Sequence, residues 1–128
     1  MKRIAALAVL ATTIAMQTTA FAGASFSAPV YIGNNIAYGS LKSARTSGNT
    51  REYIGCGVYG ATNQTATTYV MCSAVNAAGT GWSCSTYAPS AQLVQAALAV
   101  SAGSYVIAQS DSAYNCTYIY VNNNSAYQ

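Results

Sequence analysis

Few side chains in this sequence are suited to covalent, metal or acid–base chemistry. They are four cysteines, Cys56, Cys72, Cys84 and Cys116, and two carboxylates, Glu52 and Asp111. The chain has no histidine, so neither a Ser-His-Asp triad nor a Cys-His pair can be assembled. Glycoside hydrolysis usually needs two carboxylates at a set separation across the scissile bond. Here Glu52 lies beside Arg51 at the start of an apolar run and Asp111 lies in a turn, so both read as solvated turn residues. Calcium would need several carboxylates. The glycine-rich stretch GCGVYG (55–60) matches no phosphate-binding loop and reads as a strand. The sequence therefore predicts a non-enzymatic protein with no cofactor and no metal.

The cysteine spacings point the same way. Successive cysteines stand 16, 12 and 32 residues apart. Zinc ligands come as tight pairs two to four residues apart, and a redox pair takes the form Cys-x-x-Cys. An even count in a small exported chain reads instead as two disulfides.

Export is read from the first residues, MKRIAALAVLATTIAMQTTAFA. Lys2 and Arg3 precede an apolar run over 4–16, and Ala20-Phe21-Ala22 is a small-x-small cleavage site. The apolar run is too short for a membrane anchor. Residues 1–22 are thus expected to be a signal peptide of bacterial brevity. Removing 22 residues from 128 leaves 106, residues 23–128, as one secreted or cell-surface domain with no membrane span. Cleavage also discards two of the five cations, and the formal net charge falls from +3 to +1. Nucleic-acid binding needs a dense field of Lys and Arg, which Lys42, Arg45 and Arg51 cannot supply. The surface polarity must come from Ser, Thr, Asn, Gln, Gly and Tyr. That composition is associated with extracellular fibre subunits, adhesins and glycan-binding modules.

The elements that would position these residues are mostly strands. Period-two runs rich in Tyr, Thr, Val and Ile occur over 26–32, 36–46, 51–60, 67–75, 81–87, 104–110 and 115–121, with turns rich in Gly, Asn and Ser between them. One amphipathic helix is expected near 90–101, opened by Pro89-Ser90 and closed by Gly103. The fold class is α+β: a mainly antiparallel sheet of about six or seven strands, one helix and two disulfides.

Three middle strands can be set in register. If 51–60 and 67–75 turn about Gln64, facing residues have numbers summing to 128, and Cys56 faces Cys72. If 67–75 and 81–87 turn about Ala78, the sum is 156, and Cys72 faces Cys84. The cysteine face also holds Ile54, Val58, Val70, Ala74 and Trp82, a core composition that the helix would cover. Cys72 can take one neighbour only. A residue in an antiparallel sheet is hydrogen-bonded to one neighbour and not to the other, and the closer, non-hydrogen-bonded side suits a bridge. The sequence does not say which side that is. The reading favours Cys56–Cys72 with Cys84–Cys116. Cys72–Cys84 with Cys56–Cys116 stays open, because loop entropy separates the two little.

The same register places Tyr59, Tyr69 and Tyr87 in a row on the opposite face, with Tyr53 beside them. Such a row can simply stabilise a half-exposed sheet. It can also serve as a flat platform for sugar rings or as an anchor for protein partners.

The second half, from CSAVNAAGTGWSCST through the helix to SYVIAQSDSAYNCTYIYVNNNSAYQ, resembles a group of small exported bacterial proteins of no established activity. The likeness lies in a Cys-x-x-Ile-x-Val last strand (Cys116, Ile119, Val121) after a turn carrying Asp111, and covers about residues 54–128. It implies an exported disulfide domain and no particular site. Phe26, Ala28, Val30 and Ile32 alternate in a pattern similar to the donor strands of chaperone–usher pilins, as does Tyr127 next to the last residue. The four cysteines and the mid-chain helix depart from those pilins. The resemblance implies that 26–32 could complete a neighbour's sheet.

These features lead to one main expectation: a self-associating structural subunit of a surface fibre, coat or matrix. Its partners would be other copies or other surface proteins. A secreted module binding glycans or surfaces through the tyrosine row is the second expectation, and a secreted inhibitor or effector the third.

Overall fold

The computed structural model describes residues 25–61 and 67–127; the expected signal peptide lies outside them. The chain is α+β, with seven strands among the described residues, all paired antiparallel. They divide between two sheets. One holds β1 (Tyr31–Ile32), β2 (Ile36–Ser40), β6 (Tyr105–Ser110) and β7 (Cys116–Asn122), in the order β1-β2-β6-β7. The other is the consecutive meander β3 (Tyr53–Ala61), β4 (Thr67–Val75) and β5 (Gly81–Tyr87).

The meander has the register that the turn positions dictate. Cys56 faces Cys72 and Tyr59 faces Tyr69 across β3–β4, and Cys72 faces Cys84 and Tyr69 faces Tyr87 across β4–β5. The inner faces of both sheets share one core; Ile54, Trp82 and Ile119 belong to it, but its fully buried centre is built from small side chains. Its largest fully buried members are Val70, Val106, Cys72, Ser40 and Ser104. Helix α2 (Ala91–Leu98) packs against β3, β4 and β7 and buries Ala97. Ser90 caps it, its Oγ accepting from the Leu93 N–H at 3.3 Å. The helix is shorter than the expected 90–101. At its end Ala99 N–H bonds to Ala96 O and Val100 N–H to Ala97 O, tightening the last turn. Ser101 N–H then turns to Ser104 Oγ.

Two expected strands are cut short for identifiable reasons. The run 36–46 is strand only to Ser40, whose Oγ accepts from Ser43 N–H and caps the helix α1 (Leu41–Thr46). Over 26–32 only Tyr31–Ile32 is strand. Pro29 has no N–H to give a ladder, Ala28 N–H goes to Ser43 Oγ, and Val30 N–H goes to the Glu52 carboxylate at 2.6 Å.

Strand β7 contains a bulge. Gln109 faces Tyr118, yet Ser110 faces Cys116, so Thr117 is the extra residue. Thr117 and Tyr118 are both exposed, while Cys116 and Ile119 are both buried. Were Thr117 a regular strand residue and not a bulge, strict alternation would put Cys116 on the face of Tyr118 and Tyr120.

Candidate interaction surfaces

The cysteines form two bridges, Cys56–Cys72 and Cys84–Cys116. Backbone hydrogen bonds show why Cys72 takes Cys56. Ala88 N–H bonds to Thr68 O and Asn76 N–H to Thr80 O, so even-numbered residues carry the β4–β5 bonds. Cys72 and Cys84 are therefore a hydrogen-bonded pair. Cys56 and Cys72, Cα atoms 4.0 Å apart, are the close, non-hydrogen-bonded pair. Cys84–Cys116 joins β5 to β7 and so ties one sheet to the other. Ser85 N–H to Tyr114 O at 3.0 Å and Thr86 Oγ1 to Cys116 O at 2.9 Å reinforce the same seam. The sulfurs of Cys72, Cys84 and Cys116 lie within 4.8 Å of one another, one bridge packed on the other. A metal would need them as thiolates.

Tyr59, Tyr69 and Tyr87 do form a ladder. Tyr59 and Tyr69 stack with ring centroids 4.9 Å apart and planes 9° apart, and Tyr69 meets Tyr87 at 5.3 Å, tilted 38°. Such pairs contribute about 0.5–1.5 kcal/mol each beyond burial. Tyr53 stands on the same outward face, half exposed. The other sheet carries a second row that sequence reading does not reveal. Tyr31 stacks on Tyr38 at 4.8 Å, Tyr38 meets Tyr105 at 6.5 Å, and Tyr105 stacks on Tyr127 at 4.8 Å. Phe26 closes the row against Tyr127 at 6.5 Å. Tyr118 and Tyr120 lie exposed on that face. Burial, then the neighbouring Tyr127, Tyr38 and Tyr120, push the Tyr105 phenol above its ordinary pKa. Alternation within β2, β6 and β7 signals the tyrosines singly. Their assembly depends on the β2–β6 pairing, which no local turn announces. By register, neither outward face carries a charged side chain.

Ala28, Val30 and Ile32 alternate inward between exposed Ser27, Pro29 and Tyr31, and Phe26 stands apart from them. Phe26 is 60% exposed and Val30 5%. The segment is fixed to its own chain, with Phe26 N–H on Ala126 O and Ser40 N–H on Ala28 O. The carboxylates serve the fold. Glu52 is buried, not solvated as its sequence position suggests. Burial raises its pKa, but hydrogen bonds from Val30 N–H, Asn49 and Ser47 outweigh this and leave it lowered. Asp111 is lowered by Asn115, through its amide and its N–H, and by Ala113 N–H. Those bonds hold the turn in which Tyr114 adopts φ +62°.

A cleft of about 520 Å³ opens where the β1–β2 turn approaches the Tyr53 and Trp82 ends of the meander. Tyr53, Trp82 and Tyr114 wall it, with Asn34, Ser73 and Ser83 as polar lining. Trp82 is 8% exposed and its indole N–H has no partner among the described residues. No described helix is long and apolar enough to cross a membrane. No family model, curated protein or solved structure matches this chain.

Proposed function

We propose that the protein is a non-enzymatic extracellular structural subunit that self-associates in a surface fibre, coat or matrix. The observation that supports this best is the pair of outward sheet faces, each bearing a row of tyrosines and no charge. Exposed aromatic patches rimmed by neutral polar groups suit burial against another protein. Two disulfides suit an oxidising compartment. The export signal expected over residues 1–22 would bring the chain to such a compartment. Sedimentation of the purified protein over a wide concentration range tests it: concentration-dependent assembly is expected, weakened by Tyr118→Ser with Tyr120→Ser. A chain that stays monomeric throughout sinks the proposal.

A second reading, a module that binds neutral glycans, draws on the uncharged cleft and its unpartnered Trp82 indole as well as on the ladder. Screening against a panel of neutral oligosaccharides tests it. Binding lost in Tyr114→Ala would place the sugar in the cleft, and binding lost in Tyr69→Ala would place it on the ladder.

A further inference from the structure

Two sheets present four edge strands, and edges left open are templates for pairing with another chain. Three of the four are managed. β1 is two residues long. β5 has its Ser85 N–H taken by Tyr114 O. β7 is bulged at Thr117 and stapled to β5. β3 is different. It runs nine residues, Tyr53–Ala61, pairs with β4 without a bulge, and contains no charge and no proline.

The hydrogen-bonding groups of that edge follow from the register. Odd-numbered residues of β3 bond to β4, so Ile54, Cys56, Val58 and Gly60 turn their N–H and C=O groups away from it. Among the described residues no hydrogen bond uses these eight groups.

Resting on the self-association reading, we propose that β3 pairs antiparallel with β3 of a second copy about a two-fold axis at Gly57. The pairing about Gly57 satisfies all eight groups. Cys56 pairs with Val58 of the other copy and Ile54 with Gly60, each twice. An axis at any other residue leaves at least one of the four unmatched. Gly57 meets Gly57 on the close, non-hydrogen-bonded side, where the lack of side chains allows the approach. Gly55, whose outward side is open space, faces Tyr59 of the other copy. The Tyr59 ring already lies over Gly57, with its Cε2 3.4 Å from where a Cβ would stand. The two Tyr59 rings therefore come together at the axis and join two three-ring ladders into one of six. The result is a continuous six-stranded sheet.

Amide hydrogen exchange of the wild-type protein, read against concentration, tests this without a mutation. The Ile54, Cys56, Val58 and Gly60 amides should exchange fast when dilute and gain protection on association, while Tyr53, Gly55 and Gly57 stay protected throughout. Gly57→Cys should give a cross-linked dimer on mild oxidation. Gly55→Cys should not, because its two copies stand about 13 Å apart, four residues along the strands. Gly60→Pro, which removes an outward donor from an exposed position, should weaken dimerisation about tenfold or more. If the protein associates but the even-numbered amides stay unprotected and both cysteine variants cross-link alike, the β3 pairing is wrong and association runs through another surface. If no association occurs, the pairing and the self-association reading fail together.

Discussion

Replacing Cys84 and Cys116 together by alanine should nearly exhaust the stability of this domain. The bridge closes a loop of sequence separation 32. The chain-entropy relation gives about 3.7 kcal/mol for a loop of that length at 25 °C. Both residues are 2% exposed, so each alanine also leaves a sulfur-sized void costing about 0.5–1 kcal/mol. The sum, about 5 kcal/mol, is the lower end of ordinary domain stability and corresponds to a melting point lower by about 20 °C or more. Cys56→Ala with Cys72→Ala should cost less. Its separation is 16, which by loop length alone makes it about 0.6 kcal/mol cheaper, and Cys56 is only half buried. Urea denaturation is the assay, because it yields a second readout. A constraint acting on the unfolded chain should raise the m-value when removed, since the freed chain exposes more surface. A loss below about 1 kcal/mol with an unchanged m-value would refute the reasoning, showing that the two sheets hold together without their staple.

Deleting Thr117 should remove the bulge and give β7 strict alternation with Cys116 still inward, on the face opposite Tyr118; thiol titration under native conditions should then find no free thiol, and free Cys84 and Cys116 would show that the bulge itself seats the bridge. Glu52→Gln should cost about 1–2 kcal/mol at pH 7, the worth of charge-assisted hydrogen bonds to a buried partner. Because the folded pKa of Glu52 is lowered, its contribution is full above the ordinary 4.5 and lost as pH falls through the folded value. Melting curves of wild type and variant should therefore converge in acid; a gap that persists would locate the effect elsewhere. Tyr114→Gly should relieve the left-handed backbone at φ +62° and raise stability by about 0.5–1 kcal/mol in thermal unfolding. A lower melting point would mean that the ring itself holds the turn.

The meander was the legible half. Its strands are consecutive, its turns short, and period-two alternation with two turn centres fixes every pairing of β3, β4 and β5. The choice between Cys56 and Cys84 as partner of Cys72 was not legible, because alternation reveals which face a residue occupies but not which neighbour it bonds. The other sheet hid more. β2 and β6 are separated in sequence by the whole meander and α2, so their pairing has no local signature. The second tyrosine row, built on that pairing, was invisible for the same reason. Thr117 broke the period within a run that otherwise alternates. Ser40 sits where an apparently continuous strand becomes a helix, a cap that matters only once Ser43 N–H is in reach. Glu52 looked like a turn residue because its role, receiving Val30 N–H, spans 22 residues.

The small-residue core has a consequence for when the chain can hold a shape at all. A centre of valine, alanine, serine and sulfur buries little area per residue, and the two bridges together contribute about 7 kcal/mol, as much as many domains have in total. With its thiols reduced the polypeptide should lose most of that margin, and oxidation should be the step that fixes its shape. Its architecture is thus expected to be conditional on redox state: the same sequence should be pliant as the thiol and locked once bridged.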